Sequence, residues 1–190
     1  MPAGRPAVGA AYVAAEGFRD ELLTELGGAG TELVDRLVVT EGPPRPVAWT
    51  QNVWLEPRWI AFGSISEAAR ALKTIQRNWA LHPGRHHRRA ALIAEQLPHV
   101  SAKPLRFPAP APTAPLGAWT LVEPGLMLAS PRCSSPFPDG VVRFVEDREG
   151  PPNRAYLKLW EALTLIGRHP RPGEVCLDLG ASPGGWTWVL

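Results

Sequence analysis

The residues best placed to do chemistry lie at the end of the chain, in Asp178-Leu-Gly-Ala-Ser-Pro-Gly-Gly-Trp-Thr-Trp-Val-Leu190. Val175–Leu179 is a short apolar run of the kind that makes a buried parallel strand. Gly180-Ala181-Ser182-Pro183-Gly184-Gly185 is a turn, and Trp186–Leu190 opens a helix. Strand, glycine turn and helix together bring backbone N–H groups up to a ligand at the C-terminal edge of a parallel sheet. Gly180 permits the tight turn, and Gly184 and Gly185 let the backbone approach without an intervening side chain. Helix N-terminal amides hold a carboxylate as readily as a phosphate, and Asp178 is placed to receive an ammonium donor. The pairing suits a zwitterionic amino-acid moiety better than a pyrophosphate. Gly-x-x-x-Gly-Gly is not the dinucleotide fingerprint, and no Gly-Lys-Ser/Thr marks a P-loop. The bare spacing is equally consistent with an unliganded strand-to-helix turn; the full run is far more specific.

A second group stands upstream. Pro151-Pro152-Asn153 precedes a helix predicted over Arg154–Gly167, with Tyr156, Leu159, Trp160, Leu163 and Ile166 as its apolar stripe. Lys158 lies off that stripe. Taken alone it reads as a solvated lysine with Glu161 three residues on, a pair worth about 0.2–0.5 kcal/mol. Lys73, Lys103 and Lys158 are the only lysines among 20 basic residues. Such a bias fits genome composition. A lysine can nevertheless be tuned to lose its proton, whereas an arginine effectively cannot.

These residues carry a resemblance. Asp178–Thr187 resembles the first cofactor motif of the FtsJ-like ribose 2′-O-methyltransferases of RNA. Asn153–Ala162 is similar to the helix that precedes the first strand in that family, with Lys158 on its catalytic lysine. Ser135-Pro-Phe-Pro-Asp-Gly140, with Arg143, is similar to the segment ahead of the catalytic domain in a branch that modifies cytidine in large-subunit ribosomal RNA. That branch carries an N-terminal RNA-binding region with a ferredoxin-like and a THUMP-like part. The specific resemblance covers Ser135–Leu190; before it, the match is one of architecture.

The resemblance implies an α+β N-terminal region, ferredoxin-like and THUMP-like, followed by the start of an α/β Rossmann-like methyltransferase domain. It implies S-adenosyl-L-methionine as cofactor, held by Asp178, Gly180, Ala181, Ser182, Pro183, Gly184, Gly185 and Trp186. RNA, ribosomal by the same analogy, would be the partner. The ribose 2′-hydroxyl would attack the sulfonium methyl in line, with alignment the protein's largest contribution, up to ~7–11 kcal/mol in well-oriented systems. The family surrounds that hydroxyl with a lysine, an aspartate, a second lysine and a glutamate. Close lysines lower each other's pKa, so that one can position or deprotonate the nucleophile. Of this set only the first lysine is present, as Lys158.

Because the chain ends at Leu190, it is expected to be an N-terminal fragment, from a truncated or interrupted gene, that alone neither methylates RNA nor binds the cofactor tightly. The strand at Val175–Leu179 would then have unpaired edges. A separate chain supplying the missing strands is one reading. A rival reading makes Met1 to about Val145 a non-catalytic RNA-binding or partner-binding protein with a degenerate tail.

The elements that must position these residues divide as 1–103, an α+β domain; 104–116, a proline-rich linker; 117–150, a connecting β segment; and 151–190, the start of the catalytic domain. In the first part, strands are predicted at Ala11–Ala15 and Arg36–Thr40, with one or two more in Val47–Phe62. Helices are predicted at Gly17–Leu26, at Ala68–Leu81 behind the capping box Ser64-Ile65-Ser66-Glu67, and at His86–Leu97. The order β-α-β-β-α suggests a ferredoxin-like unit. Pro104–Pro115 favours extended polyproline II, a semi-rigid spacer. Trp119–Val122 and Leu126–Ser130 read as strands, and Pro138-Asp139-Gly140 supplies a turn before Val141–Val145.

Composition sets outer limits. Apolar residues are 45% of 190, enough for a core, and the formal charge of +2 does not by itself demand nucleic acid. No run of about 18 apolar residues spans a membrane. Met1–Pro6 lacks the apolar stretch of a secretory signal, so a cytoplasmic location is expected. Arg85-His86-His87-Arg88-Arg89 is the densest basic cluster. Arg85, Arg88 and Arg89 are candidates for RNA phosphates, though a solvated helix start explains them equally. His82, His86 and His87 are split by Pro83-Gly84, so no metal site is expected. Cys176 reads as a small apolar residue on a buried strand. Trp186 and Trp188 read as packing the last helix against the sheet.

Overall fold

The computed structural model describes residues 7–190. Met1–Pro6, the ground for expecting no secretory leader, lie outside the described residues. The chain divides into two compact units: Met1–Ser101 with Ala114–Val141, and Ala102–Thr113 with Val142–Leu190.

The first unit is built on two four-stranded sheets. β1 (Ala10–Ala14) is flanked by β3 (Leu37–Thr40) and β4 (Thr50–Trp54), with β2 (Thr31–Val34) outermost, in the order β2-β3-β1-β4, all antiparallel. α1 (Arg19–Glu25) crosses from β1 to β2 while β3 lies between them, a split β-α-β arrangement. The second sheet has the order β5-β8-β7-β6, from β5 (Arg58–Ala61), β8 (Leu126–Ser130), β7 (Gly117–Glu123) and β6 (Trp79–Leu81). Only β6 and β7 run parallel. α2 (Ile65–Ile75) and α3 (His87–Glu95) lie between β5 and β7 in sequence.

Three apolar clusters follow from strand alternation. Tyr12, Val38 and Val53 pack on Leu22 and Leu26 of α1. Ala11, Val13, Leu37 and Trp54 face Ala118 and Leu128 of the other sheet. Trp119, Leu121 and Met127 turn the opposite way, toward Leu72 and Ile93 of the two helices. The result is four layers, helix, sheet, sheet and helices.

Some expectations change. β2 is absent from the sequence reading because Thr31 and Glu32 are exposed and give no apolar alternation. The helix predicted to run to Leu81 stops at Ile75. Gln76 is extended (φ −162°), and the Trp79 indole N–H donates to the carbonyls of Leu72 and Gln76 at 3.0 Å each, closing the helix end. Trp79–Leu81 is then free to pair with β7. Half of the capping box forms: the Ser64 hydroxyl accepts from the Glu67 amide at 3.2 Å, but the Glu67 carboxylate accepts from the Gly63 amide rather than from Ser64. Among the described residues, no helix is long and apolar enough to cross a membrane.

The second unit carries two helices, α4 (Tyr156–Ile166) and α5 (Gly185–Val189). Leu105, inside the proline-rich stretch, forms an isolated parallel bridge with Phe144, and Phe107 stacks on Trp160 at 4.7 Å between ring centroids. The stretch thus contributes packing as well as length. Val141–Val145 makes no strand beyond that bridge. The largest correction concerns Val175–Leu179. It forms no strand, and Val175, Leu177 and Leu179 are 99%, 82% and 84% exposed. A parallel strand exists only through its neighbours' hydrogen bonds, and residues 7–190 place none beside it. Cys176 is for the same reason exposed rather than buried.

Candidate functional site

The site is assembled around the start of α4. Asn153 Oδ1 accepts the Ala155 N–H at 2.7 Å, satisfying a donor that the helix start leaves orphaned. Arg154 pairs with Glu146 at 2.7 Å, and the Tyr156 hydroxyl donates to the Asp147 carbonyl at 2.9 Å. The Asp147 carboxylate accepts from the Gly150 and Glu149 amides, which hold it below the usual carboxylate range. Lys158, one turn further on, is exposed on the helix surface. Glu161 is partly buried, and desolvation pushes its carboxyl up. The helix ends at Gly167 in the left-handed conformation (φ 70°), which glycine adopts without strain.

The glycine turn lies beside this helix. Gly180 and Gly184 have φ of 77° and 97°, so both need glycine for conformation. Gly185 needs it for space: a Cβ there would lie 2.5 Å from Asn153 Oδ1. The Trp186 indole donates to the Ala155 carbonyl at 2.9 Å, and Trp188 packs near Tyr156 and Trp160, with centroids 5.6 and 6.2 Å away. The two tryptophans therefore dock α5 on α4, in place of the sheet expected from the sequence. Asp178 Oδ2 accepts the Thr187 hydroxyl at 2.6 Å.

Of the predicted cofactor residues, Gly180, Ala181, Ser182 and Pro183 are exposed, Asp178 and Gly184 half-buried, Gly185 buried and Trp186 45% exposed. Together they present an open turn with one carboxylate. α5 has five residues, so its N-terminal dipole is short. Sequence reasoning missed Asn153; a signal was available, since an Asn directly before the helix predicted from Arg154 is a capping pattern.

The basic cluster belongs to the first unit and is divided. Arg85 and Arg88 are exposed, but the Arg89 guanidinium lies 5.8 Å over the Phe62 ring and is half-buried. Arg85 lines a hollow of about 630 Å³ with Thr31, Glu32, Trp59 and Val122. His82, grouped by sequence with His86 and His87, is fully buried, with Nδ1 2.7 Å from an Asp139 carboxylate oxygen. Among the described residues no three His, Cys, Asp or Glu side chains gather as a metal site.

Residues 151–190 match the model of the FtsJ-like methyltransferase family. Three relatives carry the name ribosomal RNA large subunit methyltransferase M. The protein of Halorhodospira halophila is 47% identical over 57 residues, which are 28% of this chain and 16% of the relative. That of Methylococcus capsulatus is 45% identical over 64 residues, 32% of this chain and 18% of the relative. That of Xanthomonas campestris pv. campestris is 46% identical over 71 residues, 34% and 20% of the two chains. The matched part thus spans a fifth or less of each relative's length.

Proposed function

We propose, from the match of residues 151–190 to the FtsJ-like methyltransferases, that this chain supplies the cofactor turn and lysine helix of an S-adenosyl-L-methionine-dependent RNA ribose 2′-O-methyltransferase acting on ribosomal RNA in the cytoplasm. The carrying observation is that one compact unit sets the Asp178–Gly185 turn directly against the helix that bears Lys158, through Trp186 and Asn153.

The residues fit the cofactor. Nothing lies within 4 Å of a Cβ built at Gly180, so the turn is open to a ligand, and the half-buried Asp178 offers a carboxylate to an ammonium group. When bound, S-adenosyl-L-methionine supplies a methyl group on a sulfonium. The chain's part is to hold that group with Asp178, Gly180, Ala181, Ser182, Pro183, Gly184, Gly185 and Trp186. Lys158 would orient the ribose 2′-hydroxyl and stabilise the charge on its oxygen as the proton passes to solvent water. Alignment would account for most of the rate.

The exposed Val175, Leu177 and Leu179 support a further part of the reading: added parallel strands, from following sequence or a separate chain, complete the domain. Residues 1–103 would carry the RNA-binding region, ferredoxin-like by the strand order of its first sheet and THUMP-like by analogy, with 104–116 leading on from it; of 117–150, expected only to connect, β7 and β8 belong to that region's second sheet. The test is a chimera that continues this chain with the catalytic remainder of the Methylococcus capsulatus relative, given labelled S-adenosyl-L-methionine and unmodified large-subunit RNA. Ribose methylation by the chimera, lost in Lys158→Ala and absent from the 190-residue chain, is expected. Methylation unaffected by Lys158→Ala, or strong methylation by the chain alone, would sink the reading.

A second reading is favoured by the first unit's closed layers and exposed Arg85 and Arg88: a non-catalytic RNA-binding or partner-binding protein. RNA binding that survives deletion beyond Gly150, with no effect of cofactor, would favour it.

A further inference from the structure

The backbone of Ala155 is a junction between the two peptide groups that flank it. Its N–H is taken by Asn153 Oδ1 at 2.7 Å. Its carbonyl accepts two donors at once, the backbone N–H of Lys158 at 3.1 Å and the indole N–H of Trp186 at 2.9 Å. The first donor belongs to the proposed catalytic lysine, and the second to the residue just after the glycine turn. Asn153 meets that turn as well: a Cβ at Gly185 would fall 2.5 Å from its Oδ1, 3.1 Å from Cγ and 3.2 Å from Nδ2. The amide side chain is thus wedged between the start of α4 and the start of α5. Beneath it, Trp188 packs against Tyr156 and Trp160, and a Cβ at Gly150 would meet the Trp188 ring at 2.9 Å.

We infer that Asn153 and Trp186 are positioning residues that lock the backbone of Lys158 to the glycine turn through the N–H and carbonyl of Ala155. The inference rests on the methyl-transfer reading for its functional meaning. Lys158 is exposed on a surface helix, and a long lysine side chain has no fixed place of its own. What the fold can fix is the origin of that side chain. Two hydrogen bonds and one steric stop do so here, joining the helix of the nucleophile-orienting group to the loop that would hold the methyl donor. Misplacement of about 1 Å between such groups is enough to lower a rate by ~100-fold. The clamp also gives Gly185 a reason that the cofactor does not supply: it is glycine because Asn153 occupies the space of its side chain.

The test uses the 190-residue chain and its Asn153→Ala, Asn153→Ser, Gly185→Ala, Trp186→Phe and Asn153→Ala/Gly185→Ala variants, followed by amide and indole NMR without cofactor. Trp186→Phe removes one donor to the shared carbonyl and is expected to shift the Lys158 amide resonance more than those of Leu163 or Thr164, which lie farther along the helix. Asn153→Ala is expected to speed exchange of the Ala155 amide about fivefold, the size of a lost cap, while Asn153→Ser keeps most of the protection. Gly185→Ala should perturb Trp186 and Lys158 strongly on its own and much less once Asn153 is also Ala. A Lys158 amide unmoved by Trp186→Phe, or strictly additive effects in the double variant, would overturn the clamp. Adding S-adenosyl-L-methionine separates the two ideas. A chain whose resonances ignore it even when completed as a chimera counts against the methyl-transfer reading and leaves the clamp intact.

Discussion

Two five-residue stretches with similar apolar content meet opposite fates in this chain. β1, Ala-Ala-Tyr-Val-Ala, is paired on both sides and every residue in it is 0% exposed. Val175–Leu179, Val-Cys-Leu-Asp-Leu, is the more strongly apolar in its aliphatic positions, yet it pairs with nothing and its three aliphatic side chains stand in solvent. The difference lies outside both segments. β1 has β3 and β4 to share its backbone hydrogen bonds and two layers to cover its faces, whereas residues 7–190 provide Val175–Leu179 with neither. Being a strand is a property of a neighbourhood, and the contrast separates a first unit whose layers close on themselves from a second whose most apolar run is uncovered.

Truncating a leucine on each side is the strongest way to break that comparison. Leu128 is fully buried between the sheets, so Leu128→Ala is expected to cost about 2–5 kcal/mol of unfolding free energy. Leu177 is 82% exposed, and Leu177→Ala is expected to stay within about 0.5 kcal/mol while reducing aggregation. Urea titration of the purified chain measures both. Equal losses would mean that Val175–Leu179 is covered in solution.

The two cysteines sharpen the contrast further. Cys176 is exposed; Cys133 is half-buried, and desolvation pushes its thiol up to about 12 from 9.0. At pH 8 only about one Cys133 in 10⁴ would be a thiolate, so a maleimide or iodoacetamide should label Cys176 first by a wide margin. The raised pKa has a consequence for stability. A thiol that holds its proton more tightly folded than unfolded contributes stability that is complete below pH 9 and is lost as pH rises toward 12. Unfolding midpoints at pH 8 and pH 11 should therefore differ more in the native chain than in Cys133→Ser. Equal labelling of both thiols would contradict the burial difference.

What the sequence made legible was local. β1, β3, β7 and β8, and the α1, α3 and α4 helices, could be read from period and punctuation, and the glycine turn from its unusual run of residues. Three things were hidden. β2 pairs through its backbone while Thr31 and Glu32 face water, so its side chains carry no pattern. The end of α2 depends on the Trp79 indole reaching back to Leu72, a tertiary contact that overrides helix propensity through Leu81. His82 reads as one member of a histidine cluster, yet in the fold it is buried against Asp139, 57 positions away. At the candidate site, the residue types were legible and their linkage was not. Lys158 and the glycines could be named from spacing, but the Ala155 carbonyl that joins them is a backbone atom and has no signature in sequence.

The smallest expected effect divides the two units by role. If RNA affinity resides in the first unit and chemistry in the second, Arg88→Ala should lower the dependence of RNA binding on salt concentration by about one counterion, with little change in sequence preference. Arg88 is exposed and free to meet a phosphate. Arg89 differs: its guanidinium lies over Phe62, a contact worth about 0.5–1 kcal/mol. Arg89→Ala should therefore appear mainly as lost stability, with a smaller change in salt slope than Arg88→Ala. Lys158→Ala should leave the slope of binding where it was. Filter binding of ribosomal RNA fragments between low and moderate salt measures all three. A slope moved by Lys158→Ala and untouched by Arg88→Ala would reverse the assignment, placing the phosphate contacts on the lysine helix rather than on α3.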